Sequence, residues 1–171
     1  NLKDAFLTKE INSAMLNQKV YIAILPGVKD SIDFLVTTQL KENIDQLNLL
    51  KEIQQKVKTS KIDEIYKLTF RDTSFVYLAI KNKLLTISNS DIAIRKSLRA
   101  QFQDNSPFAN YISKNNMYTK NTLANLYFDF NKAPAFLKNI LNVNLVGELS
   151  LFNKQNAFAT LTYNYSTEKL L

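Results

Sequence analysis

The stretch Phe75-Val76-Tyr77-Leu78-Ala79-Ile80-Lys81-Asn82-Lys83-Leu84-Leu85-Thr86-Ile87-Ser88 decides the fold. It opens with an apolar run rich in aromatic and β-branched residues, which favours a β-strand. Lys81-Asn82-Lys83 then predicts a tight reversal, and residues 84–88 predict the returning strand. Two strands joined by so short a connection must run antiparallel. We therefore expect a sheet that is built from hairpins.

Helices are predicted both before and after this hairpin in the chain. Asn89-Ser90-Asp91 supplies short polar side chains that cap a helix start, and the helix should continue to about Phe102. Residues 2–17, 39–58 and a short segment after Pro107 also have helical patterns. In residues 39–58 the apolar residues recur at spacings of three and four, which predicts one inward-facing stripe: Leu40, Ile44, Leu47, Leu50, Ile53 and Val57.

Further strands are predicted towards both ends of the chain. Residues 20–25 indicate a buried strand that forms a hairpin with residues 31–38, and residues 62–70 indicate another strand. In the last third, Leu126, Phe128 and Phe130 should face inward and Asp129 outward. A helix from Asn131 to about Leu141 and a hairpin of residues 143–152 and 157–165 should follow. The predicted class is α+β, a single domain over residues 1–171 with helices packed mainly on one face of an antiparallel sheet.

The chain contains no histidine and no cysteine. Ser-His-Asp and Cys-His catalysis, structural zinc and haem ligation by this chain are thereby excluded. Its two glycines, Gly27 and Gly147, are too few for a phosphate-binding loop or a dinucleotide fingerprint. We predict no catalytic residue, no cofactor and no metal site.

A hydrolase that uses only carboxylates and hydroxyls remains an alternative. It would need two carboxylates that converge in one pocket. Asp63 and Glu64 are adjacent and should point to opposite faces of a strand. Asp30 and Asp33 flank a turn. Nothing in these spacings brings two carboxylates together, so solvated surface positions are the preferred interpretation.

The net charge of +7 raises the question of an anionic partner. Lys outnumbers Arg nineteen to three, whereas phosphate recognition favours the two-pronged guanidinium, so nucleic-acid binding is not predicted. The most concentrated basic patch is Arg95, Lys96 and Arg99 on the helix after the hairpin. It could bind a lipid headgroup, lipopolysaccharide or an acidic protein. The competing interpretation is a solvated basic helix face.

Two tyrosines near the end of the chain are candidate interface residues. Tyr163 and Tyr165 share one face of the last predicted strand with Ala157, Ala159 and Leu161. Exposed tyrosine is typical of protein interfaces. Alternatively, a neighbouring domain covers this face.

Three segments carry a family resemblance. These are residues 75–90 with the helix at 92–98, residues 21–27, and residues 124–130. They resemble a recurring pattern in uncharacterised envelope proteins of Bacteroidetes: an aromatic-rich strand, a short turn, an apolar strand ending in Ser-Asn-Ser, and a helix. The resemblance implies a segment of a longer, secreted and often lipid-anchored protein of the periplasm or outer membrane. It implies no catalytic residue.

Composition and resemblance together favour binding over catalysis. We expect a non-enzymatic binding or scaffold domain in a cell-envelope assembly, with other envelope proteins as partners. The alternative is a module that binds envelope lipid or glycan through the basic helix and exposed tyrosines. No apolar run approaches the ~20 residues that cross a bilayer, so no transmembrane segment is predicted. The start at Asn1, without an initiator Met, suggests a processed form.

Overall fold

The computed structural model describes residue 13 and residues 18–28, 31–99, 106–116, 118–119, 121–132 and 157–164. The chain divides into two compact units, residues 1–100 and residues 101–171. Both units combine helices with antiparallel strands, which confirms the α+β class. The expectation of a single domain over residues 1–171 stays a prediction.

The first unit is organised around a six-stranded antiparallel sheet with the order β1-β2-β6-β5-β4-β3. The central hairpin is the one predicted from residues 75–88, because Leu78 pairs with Ile87 and Lys81 with Leu84. The hairpin of the first two strands joins it through the pairing of Val36 with Ile87. The strands are β1 (Val20–Pro26), β2 (Ile32–Gln39), β3 (Lys58–Ile62), β4 (Ile65–Thr69), β5 (Phe75–Lys81) and β6 (Leu84–Ser88).

Helix α1 (Gln46–Lys56) packs on one face of this sheet, here called the first face. Asp45 caps the helix, because its carboxylate accepts a hydrogen bond from Leu47 N at 2.9 Å. Its buried residues share one apolar core with alternate residues of the central strands: Leu49 and Ile53 with Leu68, Val76, Leu78, Leu85 and Ile87. The predicted helical stripe was partly wrong. Leu40 and Ile44 precede the helix, and the side chain of Leu47 is 70% exposed.

Helix α2 (Asp91–Arg99) packs on the opposite, second face. Ser90 caps it, with Ser90 Oγ accepting a hydrogen bond from Ala93 N at 3.4 Å. Ile94 is fully buried against Ile65 and Ala79, whose side chains alternate with those of the first face. Because α1 and α2 lie on opposite faces, the expected placement of helices mainly on one face is not what this unit shows.

The two edge strands differ from their predictions. β1 was expected to be buried, yet Ile22 and Ile24 are 68% and 60% exposed because β1 lies at the edge of the sheet. No separate strand was predicted at β3: Lys58 was assigned to the end of a helix and Ile62 to the start of the following strand. β3 forms the other edge, and its sequence Lys-Thr-Ser-Lys-Ile has little apolar alternation for a pattern to detect.

The second unit contains helix α3 (Pro107–Asn115) and a two-stranded antiparallel sheet of β7 (Thr122–Asp129) and β8 (Phe158–Asn164). Ser106 caps α3, with Ser106 Oγ accepting from Ala109 N at 3.1 Å. Apart from residues 13, 131 and 132, the predicted helices at 2–17 and 131–141 and the predicted strand at 143–152 lie outside the described residues.

Candidate binding surfaces

The sheet of the second unit has an exposed face made only of apolar and aromatic side chains. In the β7–β8 register, Leu126 lies opposite Leu161, Phe128 opposite Ala159 and Ala124 opposite Tyr163. The four large side chains remain open to solvent, with exposed fractions of 48% for Leu126, 45% for Phe128, 57% for Leu161 and 63% for Tyr163. We call these six residues the β7–β8 apolar face.

The other side of the same sheet packs on α3. The Phe158 ring lies 5.3 Å from the rings of both Phe108 and Tyr111. Thr160 Oγ1 donates a hydrogen bond to the Tyr111 hydroxyl at 3.2 Å. The packed side thus combines Phe158 with polar strand residues such as Thr160, whereas the open side is apolar. An apolar open side departs from the usual arrangement of a sheet with one solvated face.

The alternation of side chains between the two faces of β7 was predicted correctly, but the prediction of which face is exposed was wrong. Leu126 and Phe128 were expected to face inward, and both are exposed. Asp129 was expected to face outward and instead lies on the side of Phe158, with its carboxylate accepting from Asn131 N at 3.0 Å. A period of two places alternate residues on opposite faces, but it cannot tell which face the neighbouring helix will cover.

The tyrosine candidates are placed in part. Tyr163 belongs to the β7–β8 apolar face together with Ala159 and Leu161, on the shared face that the sequence predicted. Tyr165 lies outside the described residues. An exposed apolar face of this kind indicates a contact with another molecule, because large contiguous apolar patches are rare on monomers.

The basic candidates on α2 are not equivalent. Arg95 Nη1 donates to Asp63 Oδ2 at 3.0 Å, and Arg95 Nε lies 3.7 Å from Asp91 Oδ2. Its charge is therefore already balanced by two carboxylates. Lys96 and Arg99 are exposed near the carboxyl end of the helix, where positive charge stabilises the helix dipole.

Two carboxylates that the sequence left apart meet at Arg95. Asp63 lies in the turn between β3 and β4 with φ 56°, a left-handed conformation that Asp tolerates. The carboxylates of Asp63 and Asp91 are both largely open to solvent, at 71% and 49% exposure. Both carboxylates are engaged by one guanidinium, and this arrangement ties α2 to the β3–β4 turn.

A second cluster, on the second face of the larger sheet, was not predicted from the sequence. Lys67 Nζ lies 4.0 Å from the centroid of the Phe75 ring, and Phe75 packs edge-on against Tyr77 at 5.5 Å. The side chain of Phe75 is 41% exposed. Cross-strand pairing of Tyr77 with Lys67 creates this cluster, and pairing register is not encoded in one strand's own pattern.

No protein-family model, no curated protein and no solved structure gives a significant match to the chain. Within the residues described, no helix is long and apolar enough to span a membrane. The same part of the chain contains no group of three or more Asp or Glu side chains placed to hold a metal ion.

Proposed function

We propose that this protein is a non-enzymatic binding or scaffold domain that joins other proteins in a cell-envelope assembly. The observation that carries the proposal is the β7–β8 apolar face, where Leu126, Phe128, Leu161 and Tyr163 are exposed together. Side chains of this kind lose unfavourable contact with water when another protein covers them. Aromatic residues at the centre of such a patch contribute much of the binding energy of protein interfaces.

The described part of the sheet favours recognition of an apolar protein surface over recognition of a charged ligand. All six residues of the face are uncharged, so the expected partner presents apolar side chains of its own. The location in the periplasm or at the outer membrane rests on the family resemblance of residues 75–98. The absence of histidine and cysteine supports a role without catalysis.

The lipid- or glycan-binding alternative has weaker support. Of its three basic residues, Arg95 is paired with Asp63 and Asp91. Lys96 and Arg99 lie in the last turn of the helix, where positive charge stabilises the helix dipole without any ligand. Tyr163 would serve an apolar protein contact equally well.

Matched substitutions in β8 test the proposed protein contact. Leu161→Lys places a charge on the apolar face, whereas Thr162→Lys places the same charge on the next exposed residue, which points to the other side. Each variant replaces the natural protein in its own cells, and the complexes are isolated by affinity purification after mild solubilisation. We expect Leu161→Lys to release envelope proteins that both the natural chain and Thr162→Lys retain.

Equal recovery of the same partners by both variants would contradict the proposal. Circular dichroism of the purified variants provides the folding control. Loss of partners from both variants would also count against it, because the proposal assigns binding to one side of the sheet.

A further inference from the structure

We propose that two copies of this chain associate by antiparallel pairing of their β1 strands. β1 is an edge of the six-stranded sheet, and its sequence Val-Tyr-Ile-Ala-Ile-Leu-Pro has no charged side chain. The opposite edge, β3, is shorter and carries Lys58 and Lys61. Charged residues and short length are the common protection of edge strands against further pairing. Of the two described edges of the six-stranded sheet, β1 is the one that lacks this protection.

The backbone groups of β1 that are available to a partner follow from the hydrogen-bond pattern. Gly27 N donates to Ser31 O at 2.7 Å, which is one of the two bonds of a hydrogen-bonded pair at the end of the hairpin, while Ser31 N donates to Val28 O in the turn. Because such pairs alternate in an antiparallel ladder, Tyr21, Ala23 and Leu25 bond to β2. The N–H and C=O groups of the even-numbered residues of β1 therefore point outward.

The neighbouring strand supports this assignment. Phe34 N on β2 bonds to Asn89 Oδ1, and Leu40 N bonds to Lys83 O, so the even-numbered residues of β2 point away from β1. The Pro in β1 is also consistent. Pro26 occupies an outward-pointing position, where its missing N–H removes no bond within the sheet.

The outward edge of β1 is complementary to itself. With Ala23 on the two-fold axis, Ile22 of one copy lies opposite Ile24 of the other, and the reverse pair follows by symmetry. Each of these pairs exchanges both backbone hydrogen bonds, because all four residues point outward. Their side chains lie on the first face, where they are 68% and 60% exposed, so pairing also brings exposed isoleucines together.

A second copy fits this edge better than a charged peptide. The contact is neutral on both sides, so it sets no lysine opposite a lysine, as pairing through β3 would. Within the described six-stranded sheet, two-fold pairing covers the uncharged β1 edge of each copy and leaves the lysine-bearing β3 edges outermost. Association through this sheet therefore stops at two copies.

The net charge of the chain predicts how salt changes its self-association. Each copy carries a net charge of +7, so two copies repel each other at long range although their contact is neutral. Salt screens this repulsion, and self-association should strengthen as salt is added. Binding of an acidic partner to the same protein would weaken instead.

Sedimentation velocity of the full chain tests the proposal over a range of protein concentration and from about 0.05 to 0.5 M NaCl. We expect a species of twice the 19.6 kDa chain mass whose population rises with salt. Ile24→Lys should weaken the dimer about tenfold or more, because the new charges lie in the pairing edge. Ile62→Lys, which adds the same charge to the exposed edge β3, should leave the dissociation constant unchanged.

Ile22→Pro provides a second variant, because it removes an outward N–H without removing a bond to β2. It should abolish dimers while circular dichroism stays native. A chain that remains monomeric at all concentrations would overturn the proposal. So would a dimer that survives Ile24→Lys but dissociates on Leu161→Lys, because that result would assign self-association to the β7–β8 apolar face.

Discussion

The reversal between β5 and β6 depends on two residues in an unusual backbone conformation. Asn82 and Lys83 have φ values of 50° and 63°, as a type I′ turn requires. Asn tolerates this region, whereas Lys is strained there because its Cβ crowds the following carbonyl group. Lys83 also reaches the Glu42 carboxylate at 3.3 Å, an exposed pair that contributes little. Lys83 is therefore a strained residue in this turn.

Glycine at this position should relieve the strain. We expect Lys83→Gly to unfold with a free energy about 0.5–1 kcal/mol higher than Lys83→Ala, because only glycine enters the left-handed region at low cost. Both variants lose the contact with Glu42, so the comparison isolates the backbone term. Urea unfolding followed by circular dichroism measures the difference. Equal stability of the two variants would show that residue 83 is not strained.

In the turn before β5, the carboxylate of Asp72 accepts two hydrogen bonds from Ser74. Ser74 Oγ donates to its carboxylate, Ser74 N donates at 3.1 Å, and these hydrogen bonds hold the pKa of Asp72 below its ordinary 3.8. A lowered folded-state pKa means that the stabilisation is present above the unfolded-state pKa. It is lost as the pH falls through the folded-state pKa.

The titration of Asp72 can be followed directly. Carboxyl-carbon NMR should give it a midpoint below 3.8, and Ser74→Ala should raise that midpoint because the side-chain hydrogen bond is lost. A midpoint at or above the ordinary value in the natural chain would contradict the described hydrogen bonds.

At the scale of elements, helix α2 is held to the sheet by one buried stripe. Ile94 is fully buried, whereas Ile92, two residues earlier on the same helix, is 48% exposed. We expect Ile94→Ala to lower the free energy of unfolding by about 2–5 kcal/mol, because it leaves a cavity against Ile65 and Ala79. Ile92→Ala should cost about 0.5 kcal/mol. Similar losses for both, measured by urea unfolding, would contradict the packing of α2.

Elements with a strong local signal were predictable from the sequence. The β5–β6 hairpin and the capped start of α2 follow from turn residues and short polar caps, which act within a few residues. β3 was missed because a polar edge strand has little apolar alternation. The exposure of Ile22 was missed because an edge and a centre strand can have the same composition. That distinction depends on strand order, which is set by contacts distant in sequence.

In the candidate surfaces, too, features set by local sequence were predictable and features set by distant contacts were not. The common face of Ala159, Leu161 and Tyr163 was predictable, because strand alternation is local. Its exposure was not, since that depends on which side of the sheet α3 covers. The pairing of Arg95 with Asp63 was also invisible, because it joins residues 32 positions apart.

At the scale of the whole molecule, the net charge of +7 should govern contact with anionic membranes. We expect Lys96→Glu with Arg99→Glu to weaken sedimentation with phosphatidylglycerol vesicles no more than Lys51→Glu with Lys58→Glu does. Both double variants change the net charge equally, and all four side chains are exposed. A much larger loss for the α2 pair would establish a specific anionic site there and favour the lipid-binding alternative.

Site-specific photo-crosslinking in the native cells tests whether a protein binds the β7–β8 apolar face. A photo-reactive phenylalanine derivative is placed at Tyr163 and, as the matched control, at Thr162 on the other side of the strand. We expect discrete crosslinks to an envelope protein from position 163 and few from position 162. No crosslink from position 163, or the same products from both positions, would show that this face does not bind a protein.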